Sequence, residues 1–226
     1  MNTAIIVAAG TGTRFGGDIP KQYRLIHGKP LLFHTLTRFE DCSAIDAVIL
    51  VVAREYLDSA GKFQESFAKI QSIVAGGTNR AESVRNGLEA VQEDGIVAVH
   101  DGARPLIEPE DIAHTVEAAE DSGAACLVSR VTDTIKLVKE GVIDATVNRD
   151  TLRSAQTPQA FRVELLKRAY KSFGDLSQAT DECSLVEAIG HPITIVEGRP
   201  SNIKVTTEMD LRLAGLILEQ ARGKEH

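Results

Sequence analysis

At 226 residues, with 43% hydrophobic and 25% charged side chains, the chain is long enough for one sizeable α/β core, whereas two independent domains would be small. A net charge of −7, 4% aromatic residues and no tryptophan argue against a nucleic-acid partner, so any anion site must gather its cations locally. Cys42, Cys126 and Cys183 are odd in number and form no C-x-x-C pair, which argues against a disulfide frame or structural zinc; without a signal-type amino terminus or a long apolar run, the chain reads as cytoplasmic, with no membrane partner.

Ala4 to Ala9 is an apolar, β-branched strand suited to burial on both faces of a parallel sheet. Its carboxyl end delivers AAGTGTRFGGDIPKQY, residues 8–23. Gly10 and Gly12 lack a Cβ, so the backbone can bend with positive φ and bring N–H groups against phosphate oxygens. Arg14 adds a planar fork for two oxygens and Lys21 a compact point charge. A Walker A loop would close on Lys-Ser or Lys-Thr, but Lys21 precedes Gln22; a dinucleotide fingerprint would carry glycine where Phe15 stands. The bland alternative is a strand-to-helix turn with solvated cations.

Pro30 opens a helix with Leu31, Leu32, Thr35, Leu36 and Phe39 on one stripe, and Ala47 to Val52 is the second strand. A helix around Glu55 to Lys69 leads to a third strand, Ile70 to Val74, ending in Gly76-Gly77. Val84, Leu88 and Val91 mark the buried face of the next helix. Ile96 to Val99 is a strand that ends in His100-Asp101-Gly102-Ala103-Arg104-Pro105, a second polar loop where open α/β sheets place ligands. The alternation predicts a Rossmann-like α/β fold, a mostly parallel sheet flanked by helices.

From Val131 the rhythm breaks. Thr134 to Val138 and Val142 to Ala145 flank Lys139-Glu140-Gly141 and predict a β-arm over about residues 131–152. An isolated two-stranded arm is marginal in water, which predicts packing against a second copy in a homodimer. Helices near Val163 to Ser172 and Asp181 to Ile189, strands Ile193 to Val196 and Asn202 to Val205, and a last helix near Thr207 with Asp210 in its cap complete a single domain over residues 1–226.

Arg14 and Lys21, Arg80 and Ser83, Asp101 and Arg104, and Lys204 are thereby delivered by separate loops to one face. The glycines before Arg80 admit a planar ring and Ser83 offers a hydroxyl to a base edge, which suits a pyrimidine; equally, Ser83 satisfies a backbone N–H at a helix start. Asp101 is the available acid for a divalent ion or substrate, and alternatively pairs with Arg104. Lys204 has a second reading as a solvated cation at a strand end. His100 has no second histidine at ligand spacing, so it is expected to orient its loop.

The ordered blocks AAGTGTRFGGDIPKQY, GGTNRAESVRNGL, HDGARPL, the TDTIK-to-NR arm, TPQAF, TDECSLVE and NIKVT resemble the 2-C-methyl-D-erythritol 4-phosphate cytidylyltransferase family over nearly the whole chain. The resemblance implies a nucleotidyltransferase-type fold. It also implies conversion of CTP and methylerythritol phosphate to 4-diphosphocytidyl-2-C-methyl-D-erythritol and pyrophosphate, in isoprenoid precursor biosynthesis by the non-mevalonate pathway. By the same resemblance, Arg14 and Lys21 hold the CTP phosphates and stabilise the pentavalent transition state, with Arg149 and Lys204 as further catalytic residues. Ala8, Ala9, Gly77 and Ser83 surround the cytosine, and Gly10, Gly12, Arg80, Asp101 and Gly102 complete the nucleotide site. Asp101, Arg104, Thr157, Thr180 and Lys204 sit near the polyol phosphate, while Thr134 and Arg149 arrive from the partner's arm. Locally, Thr157-Pro158 also reads as a turn before a helix, Thr180-Asp181 as a helix cap, and Arg149 as one half of an intermolecular salt bridge.

The GG-D-x-R pattern often found in this family reads Gly76-Gly77-Thr78-Asn79-Arg80, so an acid is missing beside the expected cytosine: Thr78 can accept only through its hydroxyl, or the Gly77 backbone carries the discrimination instead. The length leaves no room for a fused cyclodiphosphate synthase, so the chain is expected to be monofunctional. The attacking phosphate is already an anion, so no general base is needed; catalysis should come from positioning and electrostatics, with Mg²⁺ or another divalent cation held by Asp101 or by the CTP phosphates. Ribitol 5-phosphate cytidylyltransferase shares the nucleotide loops and the reaction. A non-catalytic nucleotide-binding regulator would lack Arg14, Lys21 or Lys204, all of which are present.

Overall fold

Continuous β-branched runs become the central strands of a computed structural model that describes residues 1–10 and 19–222; Gly12 and Arg14 lie outside the described residues. β1 (Thr3–Ala8) precedes a short hairpin of β2 (Leu25–Ile26) and β3 (Lys29–Pro30), then α1 (Leu31–Glu40), β4 (Ala47–Val52), α2 (Leu57–Ser66) and β5 (Ile70–Ala75). Next come α3 (Arg80–Glu89), β6 (Ile96–Asp101), α4 (Pro109–Ser122) and β7 (Ala124–Arg130). The arm strands β8 (Lys136–Lys139) and β9 (Val142–Thr146) lead to β10 (Arg153–Arg162), α5 (Val163–Ser172), α6 (Glu182–Ala188), β11 (Thr194–Glu197) and α7 (Glu208–Arg222).

Seven strands form one sheet in the order β11-β7-β10-β6-β1-β4-β5. β1 pairs in parallel with β4 and β6, β4 with β5, and β7 with β11, whereas β10 runs antiparallel between β6 and β7. The sheet is therefore mostly parallel, as expected. Chain order runs outward from β1 through β4 to β5 and then crosses to β6 on the other side of β1. The loops after β1 and β6 consequently emerge side by side at the reversal point, the usual ligand crevice of such sheets.

Period-two alternation divides each central strand between two cores. Ile6, Val48, Leu50 and Val52 pack with Leu32, Leu36, Phe39 and Phe63 of α1 and α2, while Ile5, Ile49 and Val51 pack with Val84 and Leu88 of α3. Gly87 lets α3 lie this close: a Cβ there would stand 2.7 Å from Ile5 Cγ2. A third cluster seats Ala214 and Leu218 of α7 against Ile26, Leu31, Leu106 and Val205. It clamps the segment that carries Lys204.

The expected helix at Glu55 to Lys69 is a 3₁₀ turn, Arg54–Tyr56, followed by α2, which stops at Ser66. Asn202 to Val205 is not a strand. Val205 donates its N–H to Ala103 O, so this segment is tied to the loop after β6 rather than added to the sheet edge. Thr157-Pro158 is not a turn before a helix: it lies within β10, at the irregularity between Ala155 and Gln159 in the pairing with β7.

Candidate active site

β6 ends at Asp101, whose buried carboxylate is the centre of the crevice. Its Oδ1 accepts from Arg80 Nε at 3.0 Å; Oδ2 lies 2.7 Å from Lys204 Nζ and 3.8 Å from Arg104 Nε. Burial pushes this carboxyl up, but Arg80, Lys204 and Arg104 outweigh burial and hold it well below the usual carboxylate range. Arg104 also donates to Asn202 O at 2.7 Å. Three cations predicted from separate segments are thus gathered on one anion. The expectation that Asp101 pairs with Arg104 is met, and two further partners join it.

His100 and Thr157 brace this centre from behind. His100 is fully buried, and burial lowers its pKa to about 3, so the ring is neutral. Its Nε2 faces Arg104 O at 3.2 Å, a partner that can only accept, which places the proton on Nε2. Nδ1 then accepts from the Thr157 hydroxyl at 3.0 Å, while that hydroxyl accepts the Asp101 N–H at 3.1 Å. His100 orients the loop, as anticipated. Thr157 reaches the site through Asp101 and His100.

Arg80 is held on two sides. Its Nη1 donates to both oxygens of Glu182 at 2.9 Å, while Nε binds Asp101. Glu182 is fully buried and also accepts from the Tyr170 hydroxyl at 3.2 Å. Burial raises the Glu182 carboxyl, with Arg80 opposing, and the two carboxylates together keep Arg80 more firmly protonated than an ordinary arginine despite its burial. Gln159 fixes the turn before α6: its Oε1 accepts the Glu182 and Cys183 N–H groups, and its Nε2 donates to Asp181. Asp181 caps α6 in a capping box with Ser184, leaving Thr180 exposed beside it. Glu182, Tyr170 and Gln159 were not predicted as site residues; the TDECSLVE and TPQAF blocks contained two of them.

At the first loop, Gln22 is buried and donates to both Ala8 O and Gly10 O, at 2.8 and 2.9 Å, pinning the end of β1. Lys21 Nζ donates to Val205 O at 2.8 Å, which brings the first and last cationic segments together. Gly102 is pressed against β1, where a Cβ would stand 3.1 Å from Val7 O and 3.2 Å from Ala8 Cβ. At the end of β5, the Ser83 hydroxyl accepts the Gly77 N–H at 3.1 Å and donates to Asn79 O at 2.8 Å. The helix-start reading of Ser83 therefore describes this structure. A Cβ on Gly76 would collide with Ala9 Cβ, so Ala9, Gly76 and Ser83 are in close contact.

The arm is separate from this cluster. β8 and β9 form their own antiparallel sheet and are exposed throughout. Thr134 precedes β8 and is exposed; Arg149 follows β9 and donates to Thr132 O at the root of the arm. Among the described residues neither touches the Asp101 cluster. Cys42, Cys126 and Cys183 are buried and free. No helix among the described residues is long and apolar enough to cross a membrane.

Comparison with known proteins shows the family of the chain. The profile of the 2-C-methyl-D-erythritol 4-phosphate cytidylyltransferase family (IspD) matches residues 2–220. A protein of that name from Alkaliphilus metalliredigens is 44% identical, over 99% of this chain and 95% of its own length. Another from Dehalococcoides mccartyi is 40% identical over 97% and 96%. The crystal structure of 4-diphosphocytidyl-2C-methyl-D-erythritol synthase from Anaerococcus prevotii superposes with a TM-score of 0.84 at 30% identity, covering 96% of this chain and 98% of that one. The Francisella tularensis 2-C-methyl-D-erythritol 4-phosphate cytidylyltransferase gives 0.81 at 33% identity, covering 95% and 98%. With the mostly parallel sheet, the ordered motifs and these full-length matches in agreement, the chain belongs to the 2-C-methyl-D-erythritol 4-phosphate cytidylyltransferase family.

Proposed function

We propose that this chain is a nucleotidyltransferase that joins CTP and 2-C-methyl-D-erythritol 4-phosphate to give 4-diphosphocytidyl-2-C-methyl-D-erythritol and pyrophosphate. The observation that carries the reading, beside family membership, is the assembly of Arg80, Arg104 and Lys204 on Asp101 at the reversal point of the sheet, with Lys21 tied to the residue after Lys204. A phosphate oxygen of the polyol substrate attacks the α-phosphorus of CTP, forming one P–O bond as the α–β anhydride bond breaks. The nucleophile is already anionic, so the residues need only position two crowded anions and stabilise charge at the transition state. In this reading Arg14, Lys21 and Lys204 face the reacting phosphates. Ala8, Ala9, Gly10, Gly12, Gly77 and Gly102 form the backbone cradle of the nucleotide. Arg80 acts by holding Asp101, and Arg104 and Thr180 lie toward the polyol phosphate.

Mg²⁺ or another divalent cation neutralises adjacent phosphates when bound. Asp101 as arranged is a poor ligand for it, since both oxygens already serve cations, and the described residues hold no group of three acidic, histidine or cysteine side chains able to bind a metal. The phosphates of CTP are its natural ligands.

The arm supports a homodimer. Leu137, Val138, Val142 and Ile143 are 54 to 67% exposed on a hairpin that packs, among the described residues, on no hydrophobic core. A second copy covering them would bring Thr134 and Arg149 to the neighbouring site. Three buried free thiols suit a reducing compartment such as the cytoplasm.

Phosphorus NMR of a reaction containing the protein, Mg²⁺, CTP and the polyol phosphate tests the assignment. A new diphosphate doublet pair appearing in step with pyrophosphate is expected; loss of CTP without that pair contradicts it.

A further inference from the structure

The turn between β5 and α3 carries a carboxylate that the expected site does not use. Asn79 caps α3 by accepting the Glu82 N–H at 2.8 Å, so Glu82 stands at the third position of the helix. From there a glutamate ordinarily reaches back to the cap residue's own N–H. Glu82 reaches one residue further: its Oε2 accepts both the Thr78 N–H at 2.8 Å and the Thr78 hydroxyl at 2.6 Å. Oε1 has no hydrogen-bond partner among the described residues. These two bonds from Thr78, hydroxyl first, lower the carboxyl below its ordinary value, so the group is anionic at neutral pH.

The same carboxylate lies on the glycine pair. A Cβ added to Gly77 would collide with Glu82 Cβ and stand 2.9 Å from Oε2, just as one added to Gly76 would meet Ala9 and Ser83. Glu82 therefore borders the pocket assigned above to the nucleobase. The hydroxyl protons there are spent: that of Ser83 goes to Asn79 O and that of Thr78 to Glu82. Among the described side chains there, Glu82 Oε1 is the one charged acceptor left for a base edge, beside the neutral Thr78 hydroxyl oxygen.

Resting on the cytidylyltransferase reading, we propose that Glu82, oriented by Thr78, is the specificity-determining residue that accepts a hydrogen bond from the exocyclic amino group of cytosine. Uracil presents a carbonyl oxygen at the same position and would set lone pairs against an anion, so the carboxylate both attracts CTP and repels UTP. The acid missing at position 78 is replaced, in space, by the acid at position 82.

The decisive variant is Glu82→Gln. The amide oxygen can keep both Thr78 bonds while the amide N–H₂ replaces Oε1, turning an acceptor into a donor without emptying the turn. Binding of CTP and of UTP, each with Mg²⁺, is measured by calorimetry on wild type and variant, alongside kcat/KM with the polyol phosphate. The CTP-over-UTP preference should fall by about tenfold or more in the variant, through weaker CTP and stronger UTP binding. An equal change for both nucleotides, or an unchanged ratio, would reduce Glu82 to a staple for the turn and overturn the proposal. If wild type binds CTP but releases no pyrophosphate, the enzymatic reading fails while the binding ratio still judges Glu82; if it binds no CTP, both fail.

Discussion

Lys204 Nζ lies 2.7 Å from Asp101 Oδ2, joining the segment before α7 to the end of β6 across the mouth of the crevice. Lys204 keeps an exposed side, so its ammonium can serve Asp101 and a phosphate together. Lys204→Ala, Lys21→Ala and Arg14→Ala are each expected to lower turnover about a hundredfold to a thousandfold, as for other preorganised donors at developing anionic charge. Steady-state rates of pyrophosphate release at saturating CTP check this, and a variant keeping more than about half the wild-type rate loses its assigned role.

Glu182 is the hidden support of the cluster. Glu182→Ala removes the buried anion between Arg80 and Tyr170, leaving a largely buried guanidinium with one partner instead of two, and should cost about 3–5 kcal/mol of stability. Tyr170→Phe removes one neutral donor to a carboxylate and should cost about 1–2 kcal/mol. Urea unfolding of both variants measures the difference. Equal losses would contradict the ranking.

Buried, neutral His100 makes stability depend on pH. Its folded pKa, about 3, lies below its ordinary value, so the neutral ring's contribution is complete above about pH 6.5 and is lost as pH falls toward the folded value. Relative to His100→Gln, which has no titrating ring, wild type should lose about 1.4 kcal/mol per pH unit between about pH 6 and pH 4. Asp101 contributes in the same direction only at more acid pH, because its folded pKa is also depressed. Parallel pH profiles for the two proteins would show that His100 titrates alike in the folded and unfolded chains, and would contradict its burial as a neutral ring.

The arm prediction concerns assembly. Replacing Val142 and Ile143 together by Asp should leave the subunit folded, since neither side chain belongs to its cores, but should shift a dimer to monomers in sedimentation. Mixing Arg149→Ala subunits with Arg14→Ala subunits should restore part of the activity if the arm acts on its neighbour's site. An unchanged oligomer in the first experiment, or no recovery in the second, contradicts the arrangement.

Much of this molecule is legible from local pattern. Ala47–Val52 and Val163–Ser172 have the predicted bounds because an unbroken β-branched run and a strongly amphipathic helix leave little choice of structure. α4 carries ordinary start and stop signals, Pro109 at its first turn and Gly123, left-handed, at its end. β10 was hidden because Thr157-Pro158 has the composition of a turn, and only its antiparallel neighbours make it a strand. In the site, Arg80, Asp101, Arg104 and Lys204 were visible as charges in loops at strand ends. The joint convergence of Arg80 and Lys204 on Asp101 was not, nor was Glu182, because those contacts join residues far apart in the chain; Gln22 reads in sequence as an ordinary polar residue of the first loop.

The most direct test is pyrophosphate release by the purified protein with CTP and Mg²⁺, offered methylerythritol 4-phosphate or ribitol 5-phosphate in parallel, with UTP and ATP as controls. Release with CTP and methylerythritol 4-phosphate alone is expected. Preference for ribitol 5-phosphate, or no release with either polyol despite measurable CTP binding, would contradict the account.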